Sequence, residues 1–359
     1  MKLINVASAI IFAIVLMFAP LTKSAQAQCP ADVNHDFNVD GTDLTAILST
    51  WGTNGGSAGG DINSDGIVNG LDLAFVLSGW GQCPAVVPAW ATLLEAAPNP
   101  TVVTNANLRA AIVASGFAWR IKDTSSNIEM LLVPGGAFTM GCSVSSQCGC
   151  ISDESPTHQV TLTQAFYMGR YEVTQAQWTA KMGNNPSNFS GYSDSPSRPV
   201  EQVSWDMIAS GSTSFMSLTG LRLPTEAEWE YAYRAVTTTT AFHSYPAQPT
   251  GFNNDTLLSN IAWYFSNSGS QTHAVGGKLA NGLGLHDMAG NVLEWCQDWN
   301  GAYSSASVTN PTGPTTGSNR LLRGGGFAFS SCICRASGRY SYTPDTIYNY
   351  LGFRVVRNP

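Results

Sequence analysis

Read for its apolar positions, the chain opens with a mostly apolar run, Ile4 to Pro20, behind an early lysine, Lys2. The run is short for a bilayer span, and Ala25-Gln26-Ala27 after it is a small-x-small cleavage pattern. Residues 1–27 are therefore expected to be an export leader, removed to leave a secreted, periplasmic or cell-surface protein without a transmembrane anchor. Two apolar blocks, DLTAILSTWG from Asp43 and DLAFVLSGWG from Asp72, are near repeats, and each predicts a short helix stopped by glycine. Ala106 to Ser115 predicts another helix, ended by Gly116. Ile128 to Val133 is a strand-type run, PGGAFTMG adds a turn and a second strand, and Val160 to Tyr171 again suits strands. Thr174-x-x-Gln177 and Thr225-x-x-Glu228 are capping boxes, in which the hydroxyl and the later side chain satisfy orphan amides reciprocally. Ser204 begins a third helix, with Asp206 in the first turn favourable to its dipole. Behind Thr225, the residues Trp229, Ala232 and Tyr233 share one face, the spacing of core packing.

Composition shifts divide the chain into a repeat-containing module at residues 28–84, a Pro/Ala-rich linker with a short helix at 85–126, and a large domain at 127–359. Formal charge is −7, and removing Lys2 and Lys23 with the leader lowers it to −9. Residues 28–84 hold seven aspartates and no Lys or Arg, so −7 of that charge is local and the 275 residues after them carry only −2. Without a basic patch to meet phosphates, nucleic acid is excluded as a partner. Eight cysteines suit an oxidising compartment. Cys29 and Cys83 bracket the repeats and are expected to bridge. Cys142, Cys148 and Cys150 crowd one loop, so at least one pairs outside it or stays free. Cys296, Cys332 and Cys334 remain.

The acidity has a pattern. Asp32, Asn34, Asp36, Asn38, Asp40 and Asp43 occupy positions 1, 3, 5, 7, 9 and 12 of a loop that recurs 29 residues later as Asp61, Asn63, Asp65, Ile67, Asn69 and Asp72. Position 7 offers its backbone carbonyl and the others offer oxygen side chains, the calcium-loop spacing, because a hard cation takes six to eight oxygens at short range. The pair resembles the dockerin type I repeat, EF-hand-like loops each followed by one helix, which implies a small all-α module, bound calcium and a cohesin-like partner. Phe37 stands where the second loop has its turn glycine, Gly66. Gly41-Thr42 and Gly70-Leu71 stand where dockerins present small hydroxyl residues to a cohesin.

In the large domain PGGAFTMG, Asp153 to His158, GRYEVTQAQW, RPVEQVSW, LRLPTEAEWEYA, GLHDMAGNVLEW, RGGGF and LGFRVV occur in order. This series resembles the formylglycine-generating enzyme, or sulfatase-modifying factor, family. The resemblance implies an α+β, C-type-lectin-like domain poor in regular structure. It also implies a calcium turn at GN-x-x-EW, with Asn291 and Glu294 as ligands; equally, Asn291 caps a turn and Glu294 pairs with an arginine. The family's enzymes oxidise a substrate cysteine with copper held by two C-terminal thiolates, since soft thiolates select Cu(I). Here Gly326 replaces the serine of the Gly-Gly-Ser motif, and Phe329 stands at the first cysteine position. The expected function is therefore a non-catalytic binding or structural protein with no catalytic residues, recognising an extracellular peptide or glycan. The alternative is a copper-dependent oxidase using Cys332 and Cys334, whose thiols would share one face if that segment is extended. There is no H-E-x-x-H and no P-loop. Arg335, Arg339 and Arg354 are expected to hold the fold through carboxylates or carbonyls.

Overall fold

The computed structural model describes residues 29–34, 38–56, 59–142, 148–235 and 240–359; the expected leader, Asp36 and Phe37 lie outside them. Two compact units are present, Met1–Gly81 and Gln82–Pro359.

The first unit is built on helices Gly41–Ser49 and Gly70–Ser78. Both begin in capping boxes, Asp40 with Asp43 and Asn69 with Asp72, so one set of side chains closes each loop and starts each helix. Ile47 and Val76, equivalent in the two repeats, are fully buried with Val39 and Val68. Leu48, Trp51, Leu77 and Trp80 repeat in the same way and stay exposed, as do Leu71 and Phe75.

In the second unit a five-stranded antiparallel sheet runs in the order Val356–Arg357, Phe166–Gly169, Glu129–Val133, Arg120–Asp123, Ala91–Glu95. The expected linker at 85–126 is thus corrected: it supplies two strands as well as the helix Ala106–Ala114. Prolines at 84, 88, 98 and 100 gave that segment a connector's composition. Its strands are fixed instead by non-local pairing, Leu93 opposite Ile121 and Arg120 opposite Leu131. A second sheet is ordered Tyr340–Tyr342, Arg320–Arg323, Leu293–Trp299, Leu351–Gly352, with only its last pair parallel. Helices Gln175–Met182, Trp205–Ala209 and Glu226–Tyr233 start at Thr174, Ser204 and Thr225, each hydroxyl accepting an amide of its first turn.

Trp229, Ala232 and Tyr233 are fully buried, with Trp178, Trp295, Phe215 and Phe353 in the same core. The helix Glu226–Tyr233 also buries Glu226 and Glu230, which a helix on a solvated surface would expose. Their partners are what build the C-terminal site.

Candidate functional site

The stretch from Arg323 to Arg354 lies against that helix. Gly324 and Gly325 leave the Arg320–Arg323 strand with φ of +95° and +72°. A Cβ on Gly325 would sit 2.6 Å from Cys334 Sγ, so only glycine lets the loop close on the following turn. That turn, Ser331–Cys334, is a 3-10 helix rather than the extended segment considered from the sequence, so Cys332 and Cys334 do not share a strand face. Tight backbone packing against Gly325 and the turn at Ser330 impose the curl.

The cysteines divide accordingly. Cys332 is bridged to Cys148, and Cys142 to Cys150, so one cysteine of the crowded loop does pair outside it. Cys29 and Cys83 are also disulfide-bonded. Cys334 and Cys296 are free and buried. Burial pushes the Cys334 thiol up to about 12, against the opposing effect of the Gly326 and Gly290 amides, so it is protonated at neutral pH. Phe329 is half-buried, its ring edge-on to Tyr340 and Tyr350. A thiolate pair for Cu(I) cannot be assembled from a phenylalanine, a bridged sulfur and a buried thiol. Copper does not fit these residues. Cys142, Cys150 and Glu154 also come close, but the two sulfurs are bonded to each other.

Every arginine of the stretch is consumed. Arg335 makes a two-pronged pair with Glu154 at 2.6 and 2.8 Å, and Ser337 donates to the same carboxylate. Arg339 clamps Glu226 at 2.7 and 3.1 Å and donates to the Gly301 and Asp153 carbonyls. Arg323 pairs with Glu230 and donates to the carbonyls of Ala336, Ser337 and Gly338. Arg354 holds both oxygens of Glu294 at 2.6 Å. All four guanidiniums are buried, a setting in which such pairs stabilise only when they are well hydrogen-bonded, and of their nitrogens only the Arg323 Nε lacks a partner.

Glu294 also accepts from Trp229 Nε1 at 2.7 Å, so both its oxygens are taken. Asn291, with φ of +59°, accepts from the His273 amide and donates to Glu172 at 2.6 Å. Asn291 Oδ1 and both Glu294 oxygens, the expected calcium ligands, thus already accept protein hydrogen bonds. Beside them, however, lie two carboxyls the sequence reading missed. Burial raises Asp287 to about 6 and raises Glu172 well above the ordinary range, with the charges of their carboxylate neighbours adding to it. Asp287 Oδ2 accepts from the Gly276 amide, while its Oδ1 is buried without a partner. Arg354 bonds only Glu294 among these three carboxyls, and both Glu172 oxygens accept hydrogen bonds, from Asn291 Nδ2 and the Val292 amide.

In the small unit, the aspartate at position 12 of each repeat anchors backbone amides from the same loop. Asp72 accepts the amides of Ile62, Asn63 and Asn69, and Asp43 accepts those of Val33, Asn34 and Asp40. Asp61 accepts the Asp65 and Gly66 amides, and Asn63 Oδ1 accepts the Asp65 amide as well. Asn38 and Asn69 donate side-chain amides to Asp40 and to the Ile67 carbonyl. Asp32 is buried and Asn34 exposed. Burial opposes the Asp72 charge, but the three amides outweigh it and hold its carboxyl below the ordinary range.

The Sulfatase-modifying factor enzyme 1-like domain profile matches residues 103–359. The chain belongs to this family. The Dockerin type I profile matches residues 30–78. Among relatives, the sulfatase-modifying factor chain is 31% identical over 290 residues to the chaperone protein LppX of Paenibacillus barcinonensis, covering 66% of this chain and 91% of that one. It is 29% identical over 287 residues to the formylglycine-generating enzyme of Mus musculus, covering 64% and 74%. Among solved structures, Treponema denticola variable protein 1 superposes with a TM-score of 0.57 at 32% identity, over 65% of this chain and 95% of that one. The α+β, formylglycine-generating-enzyme-like fold and the dockerin module are thereby established.

Proposed function

We propose that this is an exported, non-catalytic binding protein, in which a sulfatase-modifying-factor scaffold presents a recognition surface and a calcium-loaded dockerin module tethers it to a cohesin-type partner. One observation carries the reading: the place of the copper thiolates holds Phe329, the bridged Cys332 and a protonated, buried Cys334. The arginines that could have bound substrate are spent on Glu154, Glu226, Glu230 and Glu294. Export is supported by the disulfides and the dockerin match, and no helix among the described residues is long and apolar enough to cross a membrane.

Calcium would be held by the loop oxygens of Asp61, Asn63, Asp65 and Asp72 and their counterparts in the first repeat. It neutralises these carboxylates and stiffens the loops that carry them.

The test is incubation with a cysteine-containing sulfatase peptide, Cu(I) and oxygen, read by mass spectrometry alongside a thiol count. Unmodified peptide is expected, with two titratable thiols after denaturation, Cys296 and Cys334, and none in the native protein. Formylglycine in the peptide, or stoichiometric copper on Cys332 and Cys334, overturns this in favour of the oxidase; that chemistry needs the Cys148–Cys332 bridge opened first.

A further inference from the structure

The most unusual surface of the large domain is a closed cycle of five aromatic rings. Phe329 meets Tyr340 at 5.8 Å and Tyr350 at 5.1 Å between centroids. Tyr340 meets Tyr342 at 5.1 Å, Tyr342 meets Tyr348 at 5.3 Å, and Tyr348 stacks on Tyr350 at 5.0 Å and 15°. The Tyr342 and Tyr350 hydroxyls meet across the cycle at 3.1 Å. None of these rings is in the core: Tyr348 is 45% exposed and the other four are half-buried.

The mounting is rigid. Tyr340 and Tyr342 lie on one face of the strand paired with Arg320–Arg323. The Tyr350 carbonyl accepts the Leu293 amide at 2.8 Å, and the Tyr348 carbonyl accepts the Gln202 and Leu351 amides at 3.1 Å. Rings held this way lose little conformational freedom when something lands on them. Tyr340 and Tyr342 also form one wall of a cleft of about 370 Å³, with Asn300, Ser341 and Ile333 among its other walls.

Charge selects the occupant. Between Tyr340 and Tyr350 the only charged residue is Asp345. At the cleft, the Arg339 charge is taken by Glu226, and the Asp153 side chain is exposed. Arg320, opposite Tyr342, has no ion pair among the described residues, but its guanidinium lies over the Trp205 and Trp299 rings at 3.7 and 3.5 Å and donates to the Gln297 carbonyl. Among the described residues, a phosphate, a uronic acid or an acidic peptide would therefore meet two aspartates and no unengaged cation here. The remaining polar groups are neutral hydroxyls and amides: Ser341 accepts from Asn300 at 3.3 Å, and Thr343 meets Thr346 at 2.9 Å. Open rings beside neutral hydrogen-bonding groups match a pyranose, which has an apolar C–H face and a rim of hydroxyls. The electron-rich ring face attracts the polarised C–H bonds, and the amides and hydroxyls meet the rim.

Resting on the binding-protein reading above, we infer that the Phe329–Tyr340–Tyr342–Tyr348–Tyr350 cycle and its adjoining cleft bind a neutral oligosaccharide. Calorimetry and saturation-transfer NMR on the full exported chain would use hexasaccharides of β-linked glucose, xylose and mannose, with a galacturonate hexasaccharide as the acidic comparison. At least one neutral sugar is expected to bind, about tenfold more weakly to Tyr348→Ala and Tyr342→Ala and within about threefold of wild type for Tyr348→Phe, which keeps the ring. The exposed Tyr348 should be replaceable without loss of fold, which a thermal melt checks. Failure of every neutral sugar at millimolar concentration, equal binding by Tyr348→Ala, or tighter binding of galacturonate overturns the inference. A Tyr348-dependent peptide selected from a displayed library while all sugars fail also overturns it, yet leaves the binding-protein reading standing. Formylglycine production sinks that reading itself.

Discussion

Burial raises the Asp298 carboxyl to about 7, with the negative Glu226 beside it adding to the effect. The folded state therefore keeps this proton where the unfolded chain, near the ordinary 3.8, has lost it. Stability from this group is full below the unfolded value and is lost as pH rises towards the folded one. Asp298→Asn keeps the acceptor for the Glu226 amide and removes the titration. Thermal melts between about pH 4 and pH 7 should then fall less for the variant than for wild type, and parallel curves would refute the assignment. At Arg335, truncation to alanine strands the fully buried Glu154, so a loss of about 3–5 kcal/mol is expected in urea unfolding. The fold-holding role of these arginines was legible in the sequence, but their partners were not. Glu154 and Arg335 lie 181 residues apart, and nothing local in either segment encodes the other. The ring cycle did leave a signal, Tyr-x-Tyr at 340–342, where a period of two puts both rings on one strand face, and again at 348–350, just before the strand Leu351–Gly352.

Elements with local logic were the ones the sequence specified well. Thr225 and Glu228 lie within one turn of each other, and the box they predict is present, with Glu228 accepting the Thr225 amide at 2.9 Å. Thr225→Ala should cost about 1 kcal/mol, measured by denaturant midpoint at unchanged slope. The Ala91–Glu95 strand has no such logic, since only its pairing to Arg120–Asp123 makes it a strand, and its residues are largely exposed. The repeat loops combine both cases: spacing set the register of the oxygens, and the helix caps reuse Asp43 and Asp72 to close them. A chelator added to the full chain should expose sites within residues 29–81 to proteolysis before any in the large unit. Unchanged cleavage there would refute calcium loading of the loops.

At the scale of the molecule, the Cys148–Cys332 bridge closes a separation of 184 residues. Replacing both cysteines by serine should lower stability by about 2–4 kcal/mol. An unchanged melt under non-reducing conditions would show that the bridge does not form in the mature protein. The arginine lattice spans comparable distances in a fixed direction. Arg323, Arg335, Arg339 and Arg354 are all made after their partners Glu154, Glu226, Glu230 and Glu294, which wait for them. Until the stretch from Arg323 to Arg354 emerges, these carboxylates cannot be buried without a large penalty, so the large unit cannot close around its core. Folding of the large unit is thus deferred until Arg354 has been made, and any chain cut short before Arg323 is left open to proteolysis.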